Sequence, residues 1–185
     1  ELPEKLPFFT SAGYSAFVVG ASYVTKKLPL ERMKLLAGML DHPVVAVGGP
    51  EDAEEGSALE AAFPGKVFNA CGKFDLHGSS AIVRDARVVI SHDTGLMHIA
   101  CAFQKPVLAI WGSTSPEMRM SPWYGYGQED RHEDHRVNGL SCQPCWTYWR
   151  KTCPKGHFKC MQELDIASIA ASANKLFRKV DEYKC

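Results

Sequence analysis

Short apolar runs alternate with amphipathic stretches along most of the chain. Ala16-Phe17-Val18-Val19-Gly20 is an apolar run closed by glycine, which predicts a buried strand. Pro29 opens a helix at its first turn, where a missing N–H costs nothing. Leu30, Met33, Leu36, Ala37 and Leu40 follow the 3.6-residue period, and Pro43 ends it. Val44 to Val47 predicts a second strand, stopped by Gly48-Gly49-Pro50. Residues 51–63 are acidic at the start and Ala-rich, a helix whose charges complement its N-terminal dipole. Val67-Phe68 predicts a third strand. Asp75 caps a helix running to about Ala86, with Leu76, Ile82 and Val83 expected to face inward. Val88 to Ile90 is a fourth strand, Thr94 to Phe103 a helix, and Val107 to Ile110 a fifth strand.

Strands without in/out alternation are covered on both faces, which implies a parallel sheet. Connections too long for hairpins, with right-handed crossovers, then give an α/β doubly wound, Rossmann-like sheet. We read residues 1–185 as one such domain. Residues 1–15 form a lead-in. Residues 113–164 have no clear period and read as an irregular insertion rich in cysteine and aromatics. Asp165 caps a C-terminal helix over 165–184, with Ile166, Ile169, Ala170, Ala173, Leu176, Phe177 and Val180 on one stripe.

Composition narrows the function classes. Lys plus Arg total 21, and Asp plus Glu total 21, so net charge gives no reason to expect a nucleic-acid partner. The longest apolar stretch, Ala16 to Ala21, is far short of the ~20 residues of a transmembrane helix. The opening ELPEKLPFF carries no signal-peptide pattern. Seven cysteines, an odd number with four in 142–160, argue against a disulfide scaffold and for a reducing, cytoplasmic location.

Three segments fall at strand ends on one rim of the sheet. Ser91-His92-Asp93-Thr94-Gly95-Leu96-Met97-His98 follows the fourth strand and opens a helix, whose free N–H groups and positive end suit a phosphate. Gly20 to Pro29 follows the first strand and offers Ser22 and Lys26 to a diphosphate. Gly48-Gly49-Pro50-Glu51-Asp52 follows the second and offers a carboxylate to ribose hydroxyls. Each has a plainer reading: Asp93 or Thr94 as a helix cap, His98 as a half-buried histidine, the lysines as solvated and the acids as caps.

The order G-A-S-x-x-x-K-x-x-P, G-G-P-E, N-A-C-G-K, S-H-D-T-G-L-M-H-I-A and K-P-V-L-A-I-W-G-S-T-S-P, over roughly residues 16–180, resembles glycosyltransferase family 9, the ADP-heptose:lipopolysaccharide heptosyltransferases. The resemblance implies a GT-B architecture of two Rossmann-like domains, of which this chain is similar to the C-terminal, donor-binding half. It implies an ADP-heptose-like donor and a lipid-linked saccharide acceptor held, with the catalytic base, by an N-terminal domain that no segment here matches. By position, Ser22 and Lys26 contact the diphosphate and Glu51 the ribose. Thr94, Gly95 and Leu96 hold phosphate through backbone groups, Asp93 binds the donor sugar, and His98 belongs to the same motif. Lys27-Leu28-Pro29 departs from the aromatic the family often has before the proline, and Ala21 from a second hydroxyl. A lysine and a helix N-terminus at the diphosphate suit inverting transfer without a required cofactor. Asp-x-Asp, the divalent-ion motif of GT-A enzymes, does not occur in the sequence. A location peripheral to the inner membrane would fit the acceptor. The rival reading is a nucleotide-binding or interaction module without transferase activity.

Cys142-x2-Cys145-x7-Cys153-x6-Cys160, with His157 nearby, has a zinc-compatible first pair. It is expected to converge as a structural staple, with zinc, disulfides or reduced thiols as its chemical states. His132-Glu133-Asp134-His135 reads as a solvated turn. Trp123, Tyr124, Tyr126, Trp146, Tyr148 and Trp149 are expected to pack against the sheet and helix.

Overall fold

The computed structural model describes residues 13–145 and 152–179. Six strands form one parallel sheet: β1 Ser15–Val18, β2 Val44–Val47, β3 Val67–Asn69, β4 Val88–His92, β5 Val107–Ile110 and β6 His132–His135. Their order is β3-β2-β1-β4-β5-β6. Ser15 pairs with Val44 on one side and Val88 on the other, so the order reverses between β1 and β4. In sheets of this type the ligand crevice opens at that reversal, outside the carboxyl ends of the strands.

The helices are α1 Leu30–Met39, α2 Ala53–Ala62, α3 Leu76–Asp85, α4 Gly95–Ala102, the single turn α5 Lys159–Gln162, and α6 Ile166–Lys179. Alternate residues of the strands feed two cores. Phe17, Val19, Ala46, Ile90 and Ile110 face α1, α2 and α6, where Met33, Leu36, Leu59, Ile169 and Ala173 close over them. Ala16, Val18, Val45, Val89 and Ala109 face α3 and α4, meeting Ile82, Val83, Met97 and Cys101. Both sheet faces are covered, as the unbroken apolar runs required.

The structure corrects the sequence reading at three places. His132–His135 is an edge strand parallel to β5, not a turn, and lies inside the stretch read as irregular. Backbone pairing needs no apolar side chains, and ionisable residues suit an unprotected sheet edge. Fully buried Trp111 fastens it, its Nε1 donating to Asp134 Oδ1 at 2.6 Å. Leu76 does not face inward but is exposed, along with Asp75 and His77, and the inward stripe of α3 begins at Ser79. Asp75 does cap that helix, accepting from Gly78 N–H at 2.8 Å. Of the loop aromatics, Tyr124 is buried with its hydroxyl on the Lys105 carbonyl, but Trp123 and Tyr126 stand in solvent, edge to face. Trp146, Tyr148, Trp149 and Val180 lie outside the described residues.

Candidate functional site

The loop from Gly20 to Leu28 leaves β1 through one 3₁₀ turn, Val24–Lys26, and crosses the switch point. Three neighbours fix it. Thr25 accepts at its carbonyl from Ser113 N–H, at the end of β5 (3.0 Å). Leu28 N–H donates to His92 Nε2 at the end of β4 (3.0 Å). Lys27 Nζ donates to Asp52 Oδ1 and Glu55 Oε1, beyond β2 (2.7 and 2.8 Å). The loop is therefore bonded to the ends of β2, β4 and β5 at once.

Lys26 and Asp93, predicted separately as diphosphate and sugar ligands, meet directly. Lys26 Nζ donates to Asp93 Oδ2 at 2.7 Å, and both side chains are largely buried. The pair bridges the ends of β1 and β4, the two strands between which the order reverses. An ammonium held so close to a carboxylate is preorganised in a low-dielectric setting.

Thr94 takes the N-cap position of α4 in extended backbone, without a side-chain cap bond. Its Oγ1 lies 3.5 Å from Ser91 Oγ. The first amides of α4, Gly95 and Leu96, have no partners within the helix, as at any helix start. Gly95 is exposed, and a Cβ there would meet nothing within 4 Å, so an anion has room to reach the backbone. Leu96 is half-buried against the α3–α4 core. Ser22, Glu51 and His98 are all exposed, His98 on a solvent-facing turn rather than half-buried.

Three residues the sequence did not single out support this rim. His92 is completely buried, and burial, opposed by the Gly20 carbonyl and reinforced by the Lys27 charge, pushes its pKa down to about 4. The neutral ring accepts from Leu28 with Nε2, which assigns its proton to Nδ1. Asp52, beside the predicted Glu51, is the buried carboxylate of the second loop, and Lys27 is its partner.

The cysteine stretch lies next to this loop. Cys145, Cys153 and Cys160 line one small, mostly apolar pocket with Thr25, Ser113 and Phe158. Cys142 Sγ stands 3.8 Å from His157 Nε2. Burial, with the other three thiols adding to it, pushes Cys160 up to about 12. The Gln143 side chain donates to the carbonyls of Trp111, Gly112 and Thr114, and Cys145 N–H to that of Ser113, holding the segment to the end of β5. Among the described residues, no group of three or more His, Cys, Asp or Glu is placed to hold a metal ion.

Comparison with known proteins follows the same lines. The model of glycosyltransferase family 9 (heptosyltransferase) matches residues 3–153. A Campylobacter jejuni protein named lipooligosaccharide heptosyltransferase 2 is 30% identical over 113 residues, which is 61% of this chain and 33% of the relative. This chain thus spans about a third of that relative. The solved ADP-heptose lps heptosyltransferase II of E. coli superposes with a TM-score of 0.75 over 97% of this chain and 51% of its own, at 20% identity. The structure of E. coli heptosyltransferase WaaC with ADP is 28% identical, with a TM-score of 0.53 over 56% of this chain and 35% of its own.

Proposed function

Since the chain belongs to glycosyltransferase family 9, the heptosyltransferases, we propose that it is the donor-binding, C-terminal half of a GT-B enzyme that moves heptose from an ADP-heptose-like donor to a lipid-linked saccharide. The observation that carries this reading is the Lys26–Asp93 pair at the switch point. Lys26 turns to the diphosphate when the donor arrives, and Asp93, released, takes the sugar hydroxyls. Ser22 and the amides of Gly95 and Leu96 complete the phosphate contacts, Glu51 takes the ribose, and His98 faces the same space. As the glycosidic bond breaks, charge builds on the ADP leaving group, where the ammonium and helix N-terminus stabilise it. Transfer is inverting and needs no cofactor in this scheme. The base that deprotonates the acceptor comes from an N-terminal domain outside the 185 residues. We place the enzyme in the cytoplasm, against the inner membrane where such an acceptor resides. Among the described residues, no helix is long and apolar enough to cross a membrane.

Calorimetry with ADP tests the donor site: binding is expected to be weak but measurable. Absence of binding overturns the reading, and turnover by this chain alone overturns the division of labour. ADP binding that persists with no transfer when an N-terminal domain is supplied would favour the module without transferase activity.

The thiols belong to this reading as a structural zinc on Cys142, Cys145, Cys153 and Cys160. Its support is the three thiols on one pocket, and soft thiolates are zinc's preferred donors. Among the described residues no metal-holding group is formed as the side chains stand, so binding must draw the thiols together and release their protons. About one equivalent of zinc in protein purified under reducing conditions would support it. No metal, with all four thiols titrating freely in the native state, would end it.

A further inference from the structure

Two adjacent lysines leave the loop after β1 in different directions. Lys26 reaches across the switch point to Asp93. Lys27 instead turns into the protein, where its ammonium is held by Asp52 and Glu55. The donor contacts proposed above use none of these three. Yet Asp52 is 3% exposed and Lys27 14% by side chain, so the pair is largely withdrawn from water. Water-facing lysines do not hold such a place without a specific partner.

Asp52 has a second set of neighbours. Its Oδ2 accepts from Gly49 N–H at 3.0 Å, in the turn that carries Glu51. A Cβ on Gly20 would run into its carboxylate, and one on Gly48 would stand 2.8 Å from it. One carboxylate therefore touches the end of β1, the turn after β2 and, through Lys27, the loop bearing Lys26. Those are the two loops that, in the proposed site, grip different parts of the donor.

We propose that the Lys27–Asp52 pair is a positioning element: it sets the spacing between the diphosphate loop, with Ser22 and Lys26, and the ribose loop, with Glu51, to the length of a nucleoside diphosphate. This rests on the donor reading above. Lys27 itself is not a phosphate ligand, because two carboxylates already neutralise its ammonium. Burial alone would lower its pKa, but the bonds to Asp52 and Glu55 outweigh that and raise it. Glu55 is held below its ordinary value despite burial, by the Lys27 contact. Lys27 therefore stays charged through the neutral range, and its bond to Asp52 acts as a fixed spacer.

The test compares ADP with AMP by calorimetry on the full chain, in wild type and in the K27M, D52N and K27R variants. AMP engages the ribose loop and one phosphate only, so the ADP:AMP affinity ratio reads the spacing. K27M and D52N are expected to lower that ratio about tenfold, the loss of one charge-assisted contact, with AMP affinity changed less than the ratio. K27R is expected to restore most of it. If a single variant does not fold, the double variant K27M/D52N, which leaves neither charge of the pair buried alone, is expected to show the same loss. An unchanged ratio in a folded variant overturns the proposal, as does parallel weakening of ADP and AMP, which would mark a merely structural role. Wild-type protein that binds no ADP overturns the donor reading and this proposal with it. Wild-type binding with an unaltered K27M ratio overturns this proposal alone.

Discussion

The two ends of the sheet carry the same residue types and do different things with them. At the amino end, Ser15 Oγ lies 2.7 Å from His42 Nε2, and His42 Nδ1 lies 3.1 Å from Asp41 Oδ1. By residue type that is the trio of a nucleophilic site. But Ser15 and His42 are buried, His42 lies flat on Phe177 with ring centroids 3.8 Å apart, and Arg178 closes over Asp41. No substrate reaches the serine. At the carboxyl end, buried His92 and the pairs Lys26–Asp93 and Lys27–Asp52 stand beneath open backbone, with Gly95 exposed and the α4 amides free of helical partners. Side-chain chemistry alone does not separate the two ends. What separates them is access, together with a helix N-terminus that leaves donors unmatched.

The sharpest way to break this contrast is to remove Lys26. Lys26→Ala is expected to weaken ADP binding by about 10- to 100-fold, the value of a charge-assisted contact (~1.5–3 kcal/mol). Calorimetry giving wild-type affinity would leave the carboxyl end no better qualified than the amino end.

The second test uses acid. Both histidines have folded pKa values lowered by burial, His92 to about 4. The unfolded chain therefore takes up protons first, and stability, complete above pH 6.5, falls as pH drops. At about 1.4 kcal/mol per unit, His92 alone removes roughly 2 kcal/mol between pH 6.5 and 5. Denaturant unfolding at the two pH values measures it, and His92→Asn is expected to flatten the slope. Because Leu28 hangs on His92, ADP binding should hold over this range and weaken only nearer pH 4, where the folded-state ring itself takes a proton. His42 contributes to stability only.

His42→Ala is expected to cost about 2 kcal/mol, the sum of a stacked pair and a hydrogen bond. ADP affinity should not move with it, and a parallel loss would mean the two ends are coupled. The smallest effect sharpens the contrast most. Gly95→Ala meets no neighbour and favours the helix by ~0.5–1 kcal/mol, so thermal stability should rise slightly. If phosphate approaches that backbone, ADP affinity falls in the same variant; if both rise together, the helix start is not a phosphate site.

Much of the fold was legible because its strands are short β-branched runs punctuated by glycine or proline, and both core faces follow from them. β6 was not, since His-Glu-Asp-His carries no apolar signal and its pairing is a property of the backbone. The candidate rim was legible where its residues cluster in sequence, as in Asp93 to Leu96. It was not legible at Lys27 and Asp52, because a lysine in a polar loop and an acid before a helix look solvated until burial is known. Ser15, His42 and Asp41 escaped for the opposite reason: only strand pairing brings them together.

The all-ionisable edge strand has a consequence for how the sheet breathes. The other five strands lie fully inside, whereas β6 tucks in only its two histidine side chains, leaves Glu133 and Asp134 exposed, and is held by β5 amides, one indole bond and the His132 ring beside Tyr124. Local opening runs along the gradient of buried apolar contact. Amide hydrogens of 132–135 are thus expected to exchange with solvent before those of β1 and β4, and opening of β6 alone would leave five paired strands. Such opening would take the partner carboxylate from Trp111 while the switch point, beyond β5 and β4, kept its pairing.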